Sequence, residues 1–446
     1  MAKWNWLKGI RCVAGIGATM LVAGTAMAGD GIADPDAVFQ QTSFLTSCGA
    51  DGSCGADAGG ADAGGACGPG AGGCGPASGG CDGGLSGLLD WGLCCDQEKF
   101  FDPFCGAKIG GWVQLGYSDE ITLFNGQGNA AGPFDQNGRV LLNQGWLYLE
   151  RAAESECGEW AWGYRADFVY GADATNTQSF GNNPGQFDID AGFQHGDREA
   201  WAIPQLYVEV TNGDWTIKGG HFFTLHGYEV VTAPDNFFYS HAYTMNNSEP
   251  FTHTGFVASH NVSEDTTIYG GWTAGWDTGF DQANGGSNFL GGFSTDVSDD
   301  LNFTYITSFG DFGAGRGEGG YAHSIVADYQ VNDCLNYVLT SDLVRDGADN
   351  DVISLNHYLI YQVSDCVGLG VRNQWWKNDG QSVNAFTFGA NVRPHSQIVI
   401  RPEVRYDWSP GGTIAADGTS GINGVGAGDV NGSNATTFAV DVILTF

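Results

Sequence analysis

Four arginines near the C-terminus, Arg372, Arg393, Arg401 and Arg405, and three carboxylates well upstream, Glu229, Asp235 and Glu249, are the residues of this chain best placed to handle charge. The arginines share one register of three consecutive stretches of alternating polarity. The acids fall in one long segment between two such stretches. If that segment folds over the basic wall, a transverse field crosses the gap, ordering water and selecting small polar solutes. The competing arrangement is a closed network in which the arginines pair with Glu403, Asp407 and Asp167.

The same acidic segment holds His226, His241 and His253, with His221 just before it. A metal site wants two or three such rings converging with a carboxylate, and this spacing has no i, i+4 logic, so rim histidines are the expectation and no metal is implied. Ser240-His241 suggests a hydrolytic nucleophile, but that chemistry needs a base and an orienting acid within reach. No neighbour in sequence supplies them, so neither an enzyme nor a catalytic residue is expected. The acidic runs Asp277 to Asp281 and Asp346 to Asp351 could take up Ca²⁺ through carboxylate oxygens. Neither has the EF-hand spacing, and a solvated acidic rim is the better account of both. Cys334 and Cys366 occupy equivalent places in successive short turns, and Cys105 and Cys157 flank the first hairpin. Two strands separate the members of each pair, roughly 10 Å at about 4.8 Å per strand, whereas a disulfide needs about 5.5 Å between Cα atoms. The turns must lean together, and Cys334–Cys366 is the predicted bond.

The elements that must position these groups are strands. The last eleven residues read TTFAVDVILTF. Phe438, Val440, Val442, Leu444 and Phe446 alternate with Thr437, Ala439, Asp441, Ile443 and Thr445. Successive strand side chains point to opposite faces, so one face is continuously apolar, and about 9–11 residues suffice for a tilted strand to cross a bilayer. The pattern recurs from Lys108 onward. Trp160, Trp162, Tyr164, Ala166, Phe168 and Tyr170 oppose Ala161, Gly163, Arg165, Asp167 and Val169. Ile398, Ile400, Pro402, Val404, Tyr406 and Trp408 oppose Arg401, Glu403, Arg405 and Asp407. About sixteen such stretches are predicted, those near Leu206 and Phe256 being weak. Their connections alternate between short turns (211–214, 263–265, 298–300, 332–334, 364–366, 394–397) and long loops (119–139, 172–200, 224–253, 277–287, 310–320, 409–435). Turns on one rim and long loops on the other is the asymmetry of an exported, even-stranded barrel. The fold class predicted is all-β, a transmembrane antiparallel up-and-down barrel over 105–446. Trp160, Trp162, Trp408 and Phe446, with Trp272, Trp276 and Tyr406, are expected to supply lipid contact and interfacial girdles.

Composition agrees. Of 446 residues 72 are Gly, 13% are aromatic and only 15% are charged, too aromatic for disorder and too sparsely charged for a helical protein. The net charge of −34 excludes a nucleic-acid partner, which needs a basic footprint. Residues 1–28 read as a signal peptide: Lys3, Lys8 and Arg11, then an apolar run, then Ala26-Met27-Ala28 as the cleavage site. An uncleaved anchor is the alternative. Residues 29–104 are a flexible arm of Gly, Ala, Asp and Cys with no apolar period. Its cysteines are read either as a cross-linked periplasmic tether or as a locally stapled linker.

Residues 219–257 contain GGHFFTLHGYEVVTAPDNFFYSHAYTMNNSEPFTHTGF, residues 270–282 contain GGWTAGWDTGFDQ, and residues 308–313 read SFGDFG. These runs resemble the OmpL-like outer-membrane β-barrel porin family, over about residues 108–446. The resemblance implies a barrel in the bacterial outer membrane that lets solutes diffuse, with no known substrate carried over. Porins of this size are often trimers, which by analogy suggests a homotrimer. Two functions follow as expectations. One is a passive porin for small hydrophilic solutes, in contact with outer-membrane lipid. The other is a structural or adhesive protein in which a barrel plugged by its own 224–253 loop anchors the cysteine arm to a disulfide partner. A secreted soluble β-protein would not need the turn–loop parity.

Overall fold

The computed structural model describes residues 106–119, 138–155, 159–179, 187–188, 199–282, 285–313, 315–378, 381–409 and 434–446. The signal and arm segments, Cys105 and Cys157 lie outside the described residues. Sixteen strands follow one another: β1 (Lys108–Ser118), β2 (Val140–Arg151), β3 (Ala161–Gly171), β4 (Ala200–Asn212), β5 (Trp215–Phe223), β6 (Thr252–Ser263), β7 (Thr266–Trp276) and β8 (Ser287–Ser298). The second half comprises β9 (Leu301–Asp311), β10 (Gly320–Asn332), β11 (Leu335–Arg345), β12 (Asp351–Ser364), β13 (Val367–Asn378), β14 (Gln381–His395), β15 (Ile398–Trp408) and β16 (Asn434–Thr445). Two short helices, α1 (Ala174–Thr177) and α2 (Tyr243–Ser248), sit in connections.

Each strand pairs antiparallel with its sequence neighbours, and β16 returns to β1, so the sheet closes with no free edge. Closure is what lets a sheet face lipid, because every backbone donor and acceptor then has a partner. The terminal residue completes it: the Phe446 amide donates to Gly111 O at 2.9 Å and the Gly111 amide donates back at 3.0 Å. The weakly patterned stretches near Leu206 and Phe256 are full strands, β4 and β6, held by regular register to β5.

Alternation places the polar register inside. Along β15, Arg401, Glu403, Arg405 and Asp407 are buried in the interior while Tyr406 is exposed on the outer wall. Trp276 departs from the expected pattern. Expected outward with Trp272, it is instead fully buried inside, stacked on Phe312 at 4.3 Å. The register against β6 shifts between His253 and Gly255, and Gly275 takes φ 114°, a conformation open to glycine. That irregularity rotates the strand end by one position. Trp160 is exposed and Trp162 lies under the Arg151 guanidinium at 4.5 Å, both at the short-turn end of β3. Trp408, at the loop end of β15, stacks on Tyr406, and Phe446 is exposed on the short-turn rim.

Val440, the seventh residue of β16, lies on the outer face near mid-height. Val440→Arg is expected to destabilise the barrel in lipid by about 2–4 kcal/mol, measured by denaturant unfolding in vesicles. A change under about 0.5 kcal/mol would mean that this face does not meet hydrocarbon.

Candidate functional site

The loop between β5 and β6, residues 224–251, is folded into the lumen. Its backbone and side chains meet the wall on several sides. Arg372 on β13 donates from Nη1 to Glu229 Oε1 at 2.5 Å and to Ser240 O at 2.6 Å, and from Nη2 to Ser240 Oγ at 2.8 Å. Arg405 on β15 donates to His241 O at 2.7 Å while its Nε holds Asp407 at 2.9 Å. Arg401 donates to Ala233 O and Asn236 O at 2.8 and 2.6 Å and grips Asp441 on β16 with two further bonds. Glu403 accepts the amides of Tyr239 and Ser240 at 3.0 and 3.1 Å. To either side of these strands, Gln144 on β2 donates to Val231 O and accepts the Ala233 amide, and Ser324 on β10 accepts the Gly227 amide at 3.0 Å.

The acidic loop therefore meets the basic wall, with Glu229 in a direct ion pair to Arg372. Burial would raise Glu229, but the Arg372 charge, aided by His241 and the Ala242 amide, holds its pKa at about 2. Asp235 sits half-buried in a 3-10 turn, Ala233–Asp235, and has a side-chain hydrogen bond with Thr232. Glu249 is buried against Gly227. Burial first, then the nearby Asp342 and Glu229 carboxylates, push its pKa well above the ordinary range. Arg393 is half-buried near the short-turn end of β14.

The arrangement differs from an open eyelet. Arg372, Arg401 and Arg405 are 0, 2 and 0% exposed, so their charges are spent on the loop and on wall carboxylates instead of projecting a field into water. The pairing Arg405–Asp407 belongs to the expected closed network, and Arg165 on β3 holds Asp167 at 2.8 Å. Glu403, expected to pair with an arginine, serves loop amides instead. Asp441 is a partner that sequence reasoning missed. Its signal was its place on the inward register of β16, opposite Arg401.

Apolar packing fills the rest. Phe237, Phe238 and Tyr228 of the loop cluster with Val326, Val338, Tyr358 and Ile360, while Tyr243 joins Trp276, Phe312 and Trp376. Inward glycines make the room. A Cβ at Gly370 would collide with the Phe237 ring, one at Gly116 with Tyr239, and one at Gly389 would lie 3.2 Å from Phe238.

The histidines do not converge. His221 bonds Ser179 and Thr254 at 3.0 and 2.7 Å, His226 bonds Ser308 at 2.7 Å, and His253 bonds Thr224 at 3.0 Å. Burial holds His226 well below its ordinary pKa. Ser240 Oγ accepts from Arg372, the adjacent His241 has its Nδ1 3.3 Å from Glu229 Oε2, and the ring beyond Ser179 faces a threonine hydroxyl. Asp277 accepts the amides of Phe251 and Thr252, and Asp346 those of Ala348 and Asn350. These carboxylates cap backbone. Cys334 and Cys366 stand on one rim, in the β10–β11 and β12–β13 turns.

Because the Glu229 pKa lies below its unfolded value near 4.5, its stabilisation of the loop is complete above 4.5 and lost as pH falls through about 2. Pepsin should therefore leave the Phe237-Phe238-Tyr239 run uncut at pH 4 and cleave it at pH 2. Equal cleavage at both values would contradict the ion pair.

A family model described as "Putative beta-barrel porin-2, OmpL-like" matches residues 106–446. No curated protein sequence matches. Among solved structures the chain is similar to the outer membrane channel DcaP of Acinetobacter baumannii, at 10% identity and TM-score 0.50, over 76% of this chain and 97% of that one. It is also similar to the anion-selective porin from Comamonas acidovorans (11% identity, TM-score 0.51, 76% and 99% covered). The outer-membrane expressed OmpT of Vibrio cholerae gives 11% identity and TM-score 0.50, covering 76% and 97%. At such identities the likeness is one of fold alone.

Proposed function

The chain belongs to the OmpL-like putative beta-barrel porin-2 family, and from that premise we propose that it is an outer-membrane diffusion channel for small hydrophilic solutes whose aperture is set by the loop 224–251. The observation that carries this reading is the fastening of that loop to the basic wall through Arg372, Arg401 and Arg405. In the closed arrangement the inward side chains at mid-height, among them Gln114, Gln205, Leu290, Val338, Asn356 and Thr437, are buried. Solutes pass when the loop withdraws from the wall and exposes the arginines and Glu229 to water. The lumen then has the facing charges of a constriction. The role is transport.

The second reading, a plugged barrel anchoring the cysteine arm, draws support from the apolar packing of Phe237, Phe238 and Tyr243. Flux separates the two. In proteoliposome swelling with a pentose, Arg372→Ala and Glu229→Gln should each raise the rate severalfold over wild type. Folded variants as inert as wild type would favour the anchor.

We further propose that Cys334 and Cys366 bond to each other, clamping adjacent turns. Mass mapping of non-reduced peptides should recover the 334–366 pair, and joining of either to another cysteine would contradict it.

A further inference from the structure

The outer wall is apolar at mid-height except over β9–β13. There Thr307, His323, Ser341, His357 and Asn373 point outward, each at least partly exposed. Thr307 lies opposite His323, and His357 opposite Asn373. Ser341 lies opposite Ile325 and Leu355, diagonal to both histidines, within side-chain reach. The five form one ribbon across five adjacent strands. Thr307, Ser341, His357 and Asn373 are each the seventh residue of their strand, so the ribbon runs far from either rim. Elsewhere among the described residues, outward polar side chains such as Thr266, His260, Ser382 and Thr436 sit toward strand ends.

Part of the ribbon is satisfied within the wall. His357 Nδ1 pairs with Tyr337 OH at 2.7 Å and His323 Nδ1 with Tyr321 OH at 3.1 Å. The Asn373 amide and the Ser341 hydroxyl make no hydrogen bond among the described residues. Hydrocarbon offers them none, and unmet polar groups there are costly. We propose that this wall docks against the same wall of a second copy of the chain. Copies inserted in one orientation and related by a two-fold axis along the membrane normal present the same wall to one another. The ribbon is a neutral mixture of donors and acceptors, able to satisfy itself. At its loop end the wall carries both signs of charge, Lys377 and Asp311 beside an Arg345–Asp351 pair closed within the chain at 2.9 Å. A copy complements both signs, whereas a wholly acidic or basic partner would oppose one. The inference rests on the membrane barrel and not on conduction, so failure of the diffusion reading leaves it standing.

Benzoylphenylalanine placed at Asn373, or at Phe168 on the opposite wall, tests this by photocrosslinking the full chain in intact cells. A self-crosslinked dimer band from position 373 and none from 168 is expected. Crosslinks from 373 only to lipid or to a different protein would overturn the proposal, as would equal self-crosslinking from both positions. Independently, native mass spectrometry in mild detergent should find an oligomer for wild type. The same measurement on a folded Ser341→Leu/His357→Leu/Asn373→Leu variant should find mainly monomer. A wild-type monomer, or an unchanged oligomer in the variant, would contradict it.

Discussion

The Arg372–Glu229 ion pair is the interaction on which the interior depends. A guanidinium removed from water must find compensating acceptors, and breaking a buried pair by deleting one member costs about 3–5 kcal/mol. Here the strand supplies the cation and a loop more than a hundred residues away in sequence supplies the anion, so Arg372 keeps its carboxylate partner only when the loop is inside. The carbonyls of Ser240, His241, Ala233 and Asn236 extend the dependence to Arg405 and Arg401. The basic wall is in effect a socket for loop backbone.

Shape follows charge. The aromatic run Phe237-Phe238-Tyr239 fits because Gly370, Gly389 and Gly116 leave the wall bare where the rings arrive. Cation–π contacts of Arg372 with Phe238 at 4.9 Å and of Arg405 with Tyr243 at 4.6 Å tie the polar and apolar halves together. Fixing the loop this way requires a rigid wall, which the closed sheet provides without an edge.

The barrel was legible in the sequence because a membrane strand must keep one face apolar, and β15 and β16 do so without interruption. Strand count and turn parity were readable for the same reason. Where the backbone breaks its period the reading failed: the positive φ of Gly275 turns Trp276 inward, a flip that alternation cannot register. The site was half legible. Inward arginines and a loop acid could be picked out as partners, and Glu229 with Arg372 is that pair. Their burial could not be read, because it depends on how deep the loop sits, and that depth is set by glycine recesses from strands far apart in the chain. Asp441 was missed as a partner because its cross-strand neighbour is fixed by register, not by local spacing.

Whether loop withdrawal controls the lumen is tested most directly by tethering the loop. Ser240 and Thr387 flank the Arg372 guanidinium, each within hydrogen-bond reach of Nη2, so a Ser240→Cys/Thr387→Cys variant can bond the loop to β14. Single-channel conductance in a planar bilayer, recorded before and after reduction alongside wild type, reads the outcome. The expected result is silence while the tether is intact, openings after reduction, and no comparable change in wild type. Full conductance with the tether shown by mass spectrometry to be formed would contradict control by the loop.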